Sequence, residues 1–294
     1  MTRPATAAEA LRGLIRVRPH GWLTAPLPTG PAAAADLLHS ARTAHGTHPA
    51  AGGPLRLLSA RATAAVASLG DPPHAVLKLH ADAAAYTAEL FAYALVGACP
   101  VLPRLLAADD GSRTLLIEYI PRSFDWTVPE AAAAVVDAVA AVHAAPALLD
   151  AAAAGAVEPF RLGRLAAAPA PPWLPEPAAW ADVLGWCLDA YGPGRIPVGH
   201  LDLKPEHLRR RDDGHVMLLD VETLRPDITG LIDVVTLPAV LRQAGVPLRG
   251  PDVLTLYQDA ARRHGIHWTS RSLRAALIAY QRATGLATLD GLAG

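Results

Sequence analysis

The sequence predicts an α+β protein of two unequal lobes: a small N-terminal lobe with an antiparallel sheet plus one helix, and a larger, mainly helical C-terminal lobe. Two patterns and one size argument predict it. Residues 50–121 alternate short apolar runs with turn residues around one Ala-rich helical stretch. Residues 122–294 return repeatedly to helical patterning, interrupted by one short hairpin signal. The chain has 294 residues and is 52% hydrophobic, which suffices for a large core in one big domain or two unequal lobes. Residues 1–49 precede both lobes as a partly helical extension.

In chain order, residues 4–17 form a short amphipathic helix, and Pro19, Gly21, Pro26, Pro28 and Gly30 punctuate the loop after it. Residues 32–44 are helical, and "GTHPAAGGP" then breaks the chain. "LRLLS" (55–59), "TAAVASL" (63–69) and "HAVLKLH" (74–80) read as strands of an antiparallel meander, with the turn "GDPP" between the last two. A helix spans about 82–96, where alanines offset the weaker propensity of Tyr86 and Tyr93. "VLPRLLAADDGSRTLLIEYI" follows as strand, "DDGS" turn and strand. A strong helix over 129–145 carries Pro129 in its first turn. The Pro/Trp-rich stretch "APAPPWLPEPAAWADVLGWCLDAYG" comes next, then two short apolar runs joined by "RDDGH", and helix to the end.

Composition excludes several classes of partner. With 26 Lys+Arg against 27 Asp+Glu, the net charge of −1 draws the chain to neither nucleic acid nor an anionic membrane, and neither is expected as a partner. Cys99 and Cys187 are too few for a disulfide framework and lack zinc-site spacing, so a reducing cytoplasm is the expected location. "MTRPATAAEALRGLIRV" lacks the apolar run of a signal peptide. The most apolar region, 131–157, is mainly alanine and contains Asp137, His143, Pro146 and Asp150, which argues against a membrane span.

Phosphoryl transfer requires few side chains, each with a strict role. It needs a carboxylate near the acceptor hydroxyl, oxygen ligands for magnesium, and cations on the phosphates. Asp202 in "GHLDLKPEHL" precedes a short strand, and Asp220 in "LLDVE" ends the returning one. A hairpin through "RDDGH" brings both carboxylates to one end of the pair, where one could orient a hydroxyl and the other hold a metal. Alone, each is equally a turn cap or a solvated strand end.

"HLDLKPEHLRRRDDGHVMLLDVE" resembles the catalytic loop, hairpin and metal-binding aspartate of the aminoglycoside phosphotransferase-like branch of the protein-kinase-like fold. The resemblance covers roughly residues 50–240 and implies a bilobal kinase fold using ATP with Mg²⁺, or Mn²⁺. It makes Asp202 the catalytic base or hydroxyl-orienting residue, Asp220 a magnesium ligand, and His200 a structural brace of the loop. Asp233 in "LIDVVTLP" matches the family's buried loop-bracing aspartate, and it follows Asp220 too closely for the activation segment of a regulated protein kinase. "AVLKLH" resembles the third strand of the small lobe, which puts Lys78 on the nucleotide phosphates with Glu89 of "YTAELFAYAL" as its helix partner. "TLLIEYIPRS" resembles the lobe linker, whose backbone near Glu118 and Ile120 would bond an adenine edge. His143 in "AVAAVHAAP" is read as structural.

The chain departs from that family at three places. His207 stands where a metal-binding Asn is expected; imidazole suits softer metals than Mg²⁺, so His207 could ligate Mn²⁺, donate to a phosphate, or yield its place to water. The nucleotide loop "LLSARATAAVASL" has no glycine, so Ser59 and Arg61 either bind phosphate through their side chains or belong to a plain surface turn. Lys204, two residues after Asp202, is the pattern of kinases that act on Ser/Thr of polypeptides, where it steadies the transferred group.

The leading expectation is phosphorylation of a hydroxyl on a small natural product, antibiotic-like in kind. The first alternative is a Ser/Thr kinase of a ribosomally made precursor peptide, working with a partner lyase and a leader peptide. It is suggested by Lys204, by the first 50 residues, and by the segment from Ala170 to Tyr191. There Glu176, Asp182 and Asp189 supply the carboxylates an aminoglycoside cleft needs, but Trp173, Trp180, Trp186 and prolines dominate, which reads either as an apolar or extended-ligand surface or as core. The second is a pseudokinase scaffold.

Overall fold

The computed structural model describes residues 26–148 and 157–285, apart from 173, 201, 225, 227, 228 and 247. The helix expected at 4–17, and Trp173, lie outside the described residues.

The small lobe is built on a five-stranded antiparallel sheet of order β1-β2-β3-β5-β4, from β1 (Leu55–Ala60), β2 (Ala64–Gly70), β3 (Pro73–His80), β4 (Leu105–Asp109) and β5 (Thr114–Glu118). Side chains on a strand alternate between faces. On β3, Ala75, Leu77 and Leu79 therefore join one apolar cluster, while Val76, Lys78 and His80 face the opposite way. The first face is closed by helix α1 (Pro31–Arg42), whose Leu38 is fully buried among Ala65, Ala67, Leu69, Leu77 and Leu116. Helix α2 (Ala83–Val96) lies on the second face; Asp82 caps it by accepting from the Ala84 and Ala85 amides at 2.7 and 3.0 Å.

The chain leaves this sheet at Glu118 and enters a second one at β6 (Arg122–Ser123), which pairs with β7 (Leu208–Arg210) and then β8 (Val216–Leu218). The helical lobe around it comprises α3 (Ala131–Ala144), α4 (Leu162–Ala167), α5 (Pro177–Tyr191), α6 (Leu231–Gln243), α7 (Gly250–Arg263) and α8 (Ser270–Thr284). A Thr269/Ser272 capping box starts α8. No helix among the described residues is long and apolar enough to cross a membrane. Cys99 and Cys187 are buried and unpaired, and burial pushes the Cys99 thiol up to about 11.

The α+β expectation holds, and two local expectations change. Helix α3 begins at Ala131 with Glu130 at its cap, so Pro129 precedes the cap and lies outside the first turn. Of the tryptophans described there, Trp180 belongs to the core, with its ring 6.4 Å from that of Tyr280, and Trp186 packs half-buried against the same core. Glu176 is paired with Arg282.

Because α1 completes the small lobe's core, Leu38→Ala should destabilise the protein by about 2–5 kcal/mol in urea unfolding. A loss below about 0.5 kcal/mol, the range of surface substitutions, would show that the extension is not part of the cooperative fold.

Candidate active site

The face of β3 opposite α1 carries Lys78 to the junction of the lobes. Its ammonium lies 2.8 Å from Glu89 Oε2, 2.7 Å from Asp220 Oδ1 and 3.1 Å from Glu222 Oε2. Burial works against the Lys78 charge, but these carboxylates outweigh it and hold its pKa well above the ordinary lysine value. Burial likewise raises Glu89 and Asp220, and Lys78 outweighs it for both, so each stays below the usual carboxylate range. His80, two residues along the same face, puts Nε2 2.9 Å from Glu89 Oε2. His80, Glu89 and Glu222 together resemble a cation site, but the Lys78 ammonium already stands against both carboxylates.

Asp220 lies two residues past the end of β8 and has left-handed backbone angles (φ 62°, ψ 63°). Such a conformation costs a non-glycine residue about 1–3 kcal/mol and persists only where surroundings impose it. Here it comes at the turn from strand into a short 3₁₀ segment, where one carboxylate oxygen meets Lys78 and the other faces His207.

The loop from 199 to 207 is held from behind by a chain of buried polar groups. Asp233, in the first turn of α6, accepts from the His200 amide at 2.5 Å and from His143 Nε2 at 3.0 Å. His143 Nε2–H is committed there, and its Nδ1 is hydrogen-bonded to the Tyr257 hydroxyl at 2.7 Å. His200 Nε2 donates to Leu219 O at 3.0 Å, and Thr223 Oγ1 donates to His200 O at 2.7 Å. Two glycines permit this packing. A Cβ on Gly230 would stand 2.5 Å from the His143 ring, and one on Gly199 would stand 2.9 Å from Thr229 O.

At the open side of the loop, Lys204 Nζ lies 2.8 Å from the Asp202 carboxylate. His207 Nδ1 sits 2.8 Å from Asp202 O, and its Nε2 is 3.7 Å from Asp220 Oδ2. Asp202, His207 and Asp220 each offer a donor atom, all within 4.8 Å of one another. One imidazole and two carboxylates fit a divalent cation. Across the whole site the carboxylates of Glu89, Asp202, Asp220 and Glu222 outnumber the ammonium groups of Lys78 and Lys204 by two.

The lobe linker is also anchored. The Glu118 carboxylate accepts from the Arg104 amide at 3.0 Å and from Arg211 Nη2 at 3.0 Å, so a large-lobe arginine grips the end of β5. The Tyr119 amide donates to His74 O, whereas the Ile120 amide has no hydrogen-bond partner among the described residues. Ser59 and Arg61 flank the tight β1–β2 turn. Arg61 is exposed, its amide donates to Ala64 O at 2.9 Å, and the Leu27 amide ties the tip by donating to Ala62 O at 3.0 Å. Among the described residues neither side chain forms an ion pair or hydrogen bond with Lys78, Asp202 or Asp220, so these two of the expected residues are not drawn into the cluster.

Sequence reasoning missed Glu222 and His80. Each has a weak signal, an acidic or basic residue two positions from an assigned one, and such spacing on a strand or a tight turn returns a side chain to the same side.

Burial raises Asp233, and the His143 and His200 hydrogen bonds and charges outweigh it, leaving the carboxyl below its usual range. Its stabilisation is complete above the unfolded value of about 3.9 and is lost as pH falls through the folded value. Asp233→Asn should therefore cost about 3–5 kcal/mol at neutral pH and reduce the slope of stability against pH below about 4, read from urea midpoints. An unchanged acid slope in the variant would contradict this assignment.

No protein-family model matches the chain, and no curated protein sequence matches it. Among solved structures it is similar to a choline/ethanolamine kinase family protein from Mesorhizobium loti, with 16% identity, 83% of this chain and 81% of that one covered, and a TM-score of 0.47. It is similar to choline kinase LicA from Streptococcus pneumoniae, with 12% identity, coverage of 87% and 95%, and a TM-score of 0.48. An aminoglycoside phosphotransferase from Alicyclobacillus acidocaldarius is similar at 14% identity, with coverage of 82% and 88% and a TM-score of 0.45. The chain is thus similar, over more than four-fifths of its length, to solved structures of two choline-type kinases and an aminoglycoside phosphotransferase.

Proposed function

We propose that the chain is an ATP-dependent phosphotransferase that moves the γ-phosphoryl group to a hydroxyl of a small natural product. The observation that carries this reading is the buried Lys78 ammonium, supported by Glu89 within its own lobe and bonded at 2.7 Å to Asp220 of the other, with Asp202 beside the same cluster.

In this reading Lys78 binds nucleotide phosphates, exchanging part of its carboxylate shell for phosphate oxygens, and Glu222, its longest contact at 3.1 Å, is the first to yield. The Ile120 amide, without a partner among the described residues, and the carbonyl of Glu118 meet the adenine edge. Asp202 orients the acceptor hydroxyl and takes its proton, while Lys204 at 2.8 Å steadies the charge beside it. Asp220 and His207 would hold a divalent cation, which when bound would neutralise charge on the phosphates. The Asp233 brace fixes the backbone from which Asp202 projects.

A Ser/Thr of a ribosomally made peptide is the second acceptor class, favoured by the Lys204–Asp202 contact. It loses the support of Trp180, which is core. With labelled ATP, a divalent cation and panels of both acceptor types, Asp202→Ala should lower transfer by about 10²–10⁴-fold while nucleotide binding persists. Nucleotide binding without transfer to either class would instead leave a scaffold, and absence of both would sink the proposal.

A further inference from the structure

We propose that His207 makes this cluster a preformed, nitrogen-containing cation site that takes a first-row transition divalent ion, Mn²⁺ before Mg²⁺, and takes it without nucleotide. The inference rests on the phosphotransfer reading for the ion's eventual use, whereas its binding follows from the side chains alone.

The tautomer is decided by the backbone. Asp202 O can only accept, so His207 Nδ1 carries the proton across that 2.8 Å contact, and in the neutral ring the Nε2 lone pair points out of the loop. Such a bond from the far nitrogen to a carbonyl is what orients metal-binding imidazoles. The ring has little freedom to turn away, because it ends the Pro205–His207 3₁₀ turn and the Leu219 amide donates to His207 O at 2.7 Å.

The nearest acidic atom is equally fixed. Lys78 holds Asp220 Oδ1 at 2.7 Å, which leaves Oδ2 directed at His207 Nε2 across 3.7 Å. That gap is too long for a hydrogen bond. Two donors each about 2.1 Å from a shared ion stand about 3.0–3.5 Å apart, so a contraction of a few tenths of an ångström completes the pair. Asp202 stands within reach as third ligand, with Lys204 on its carboxylate to be displaced or shared.

The ion preference follows from the donors. Mg²⁺ sheds water reluctantly and is usually held by one or two carboxylates plus substrate phosphates, so it gains little before nucleotide arrives. An imidazole nitrogen adds affinity for Mn²⁺ and later first-row ions and adds little for Mg²⁺. Across the whole site, Glu89 and Glu222 included, carboxylates exceed ammonium groups by two, so the local field favours a divalent ion before phosphate arrives.

The test uses full-length, nucleotide-free protein titrated with MnCl₂ or MgCl₂, with bound Mn²⁺ followed by continuous-wave EPR and its ligands by pulsed EPR. The expected result is about one Mn²⁺ per chain, bound at least about tenfold more tightly than Mg²⁺, with ¹⁴N coupling from a directly bound nitrogen. His207→Asn, checked for folding by circular dichroism, should weaken Mn²⁺ binding by about 10–100-fold and remove that coupling. Should the variant not fold, the ¹⁴N coupling of the wild type carries the test alone. Mn²⁺ bound without ¹⁴N coupling, Mn²⁺ no tighter than Mg²⁺, or no binding until ATP is added would each overturn the proposal. Nucleotide binding measured in parallel separates the two readings: coupled Mn²⁺ without ATP binding retires the phosphotransferase alone, and ATP binding with uncoupled Mn²⁺ retires only the nitrogen-ligated site.

Discussion

The buried ammonium of Lys78 is the constraint on which the rest of the molecule depends. An amine at that depth is tolerated only when opposite charges surround it, since an unpaired buried ion costs several kcal/mol. Glu89 supplies one such charge from the helix on the same sheet face; Asp220 and Glu222 supply two more from the other lobe. The two lobes are thereby tied at this point, and the tie is electrostatic, so a competing anion can rearrange it without unfolding either lobe. The left-handed backbone at Asp220 is the local strain this arrangement accepts.

A second set of contacts lets the first be placed accurately. Asp202 projects from a half-exposed loop, and loops hold a side chain less accurately than helices or strands do. The Tyr257–His143–Asp233–His200 chain supports this loop from behind, because its members are buried and hydrogen-bonded in series. Gly199 and Gly230 are the steric condition for it, since any side chain there would occupy space already held by Thr229 O or the His143 ring.

The small lobe solves a different problem. Its sheet has two apolar faces, and a single helix covers only one. Residues 31–42 cover the other, so part of the extension is structural support for the strand that carries Lys78. The same extension holds the tip of the β1–β2 turn through Leu27, which makes that glycine-free turn a tied hairpin. Trp180 likewise turns inward and Trp186 packs half-buried against the same core, a common fate for rings with so much apolar area.

Period-two alternation on β3, the turn residues, the Ala-rich helices and the chain order of Lys78, Glu89, Asp202, His207, Asp220 and Asp233 were all legible in the sequence by itself. They determined the two-lobe α+β architecture and most of the residues that converge, because strand and helix periodicity is local physics. Pro129 was misplaced because helix starts shift by a residue or two with the cap that wins, and the place of Trp180 stayed open because composition does not say which way a ring faces. Only the tertiary structure decided that Glu222 and His80 enter the Lys78 cluster, that Ser59 and Arg61 do not, and that His207 presents Nε2 to Asp220. Those outcomes depend on contacts such as Lys78 to Asp220, 142 residues apart, and on which backbone atom a ring nitrogen meets. Spacing along a chain carries no record of either.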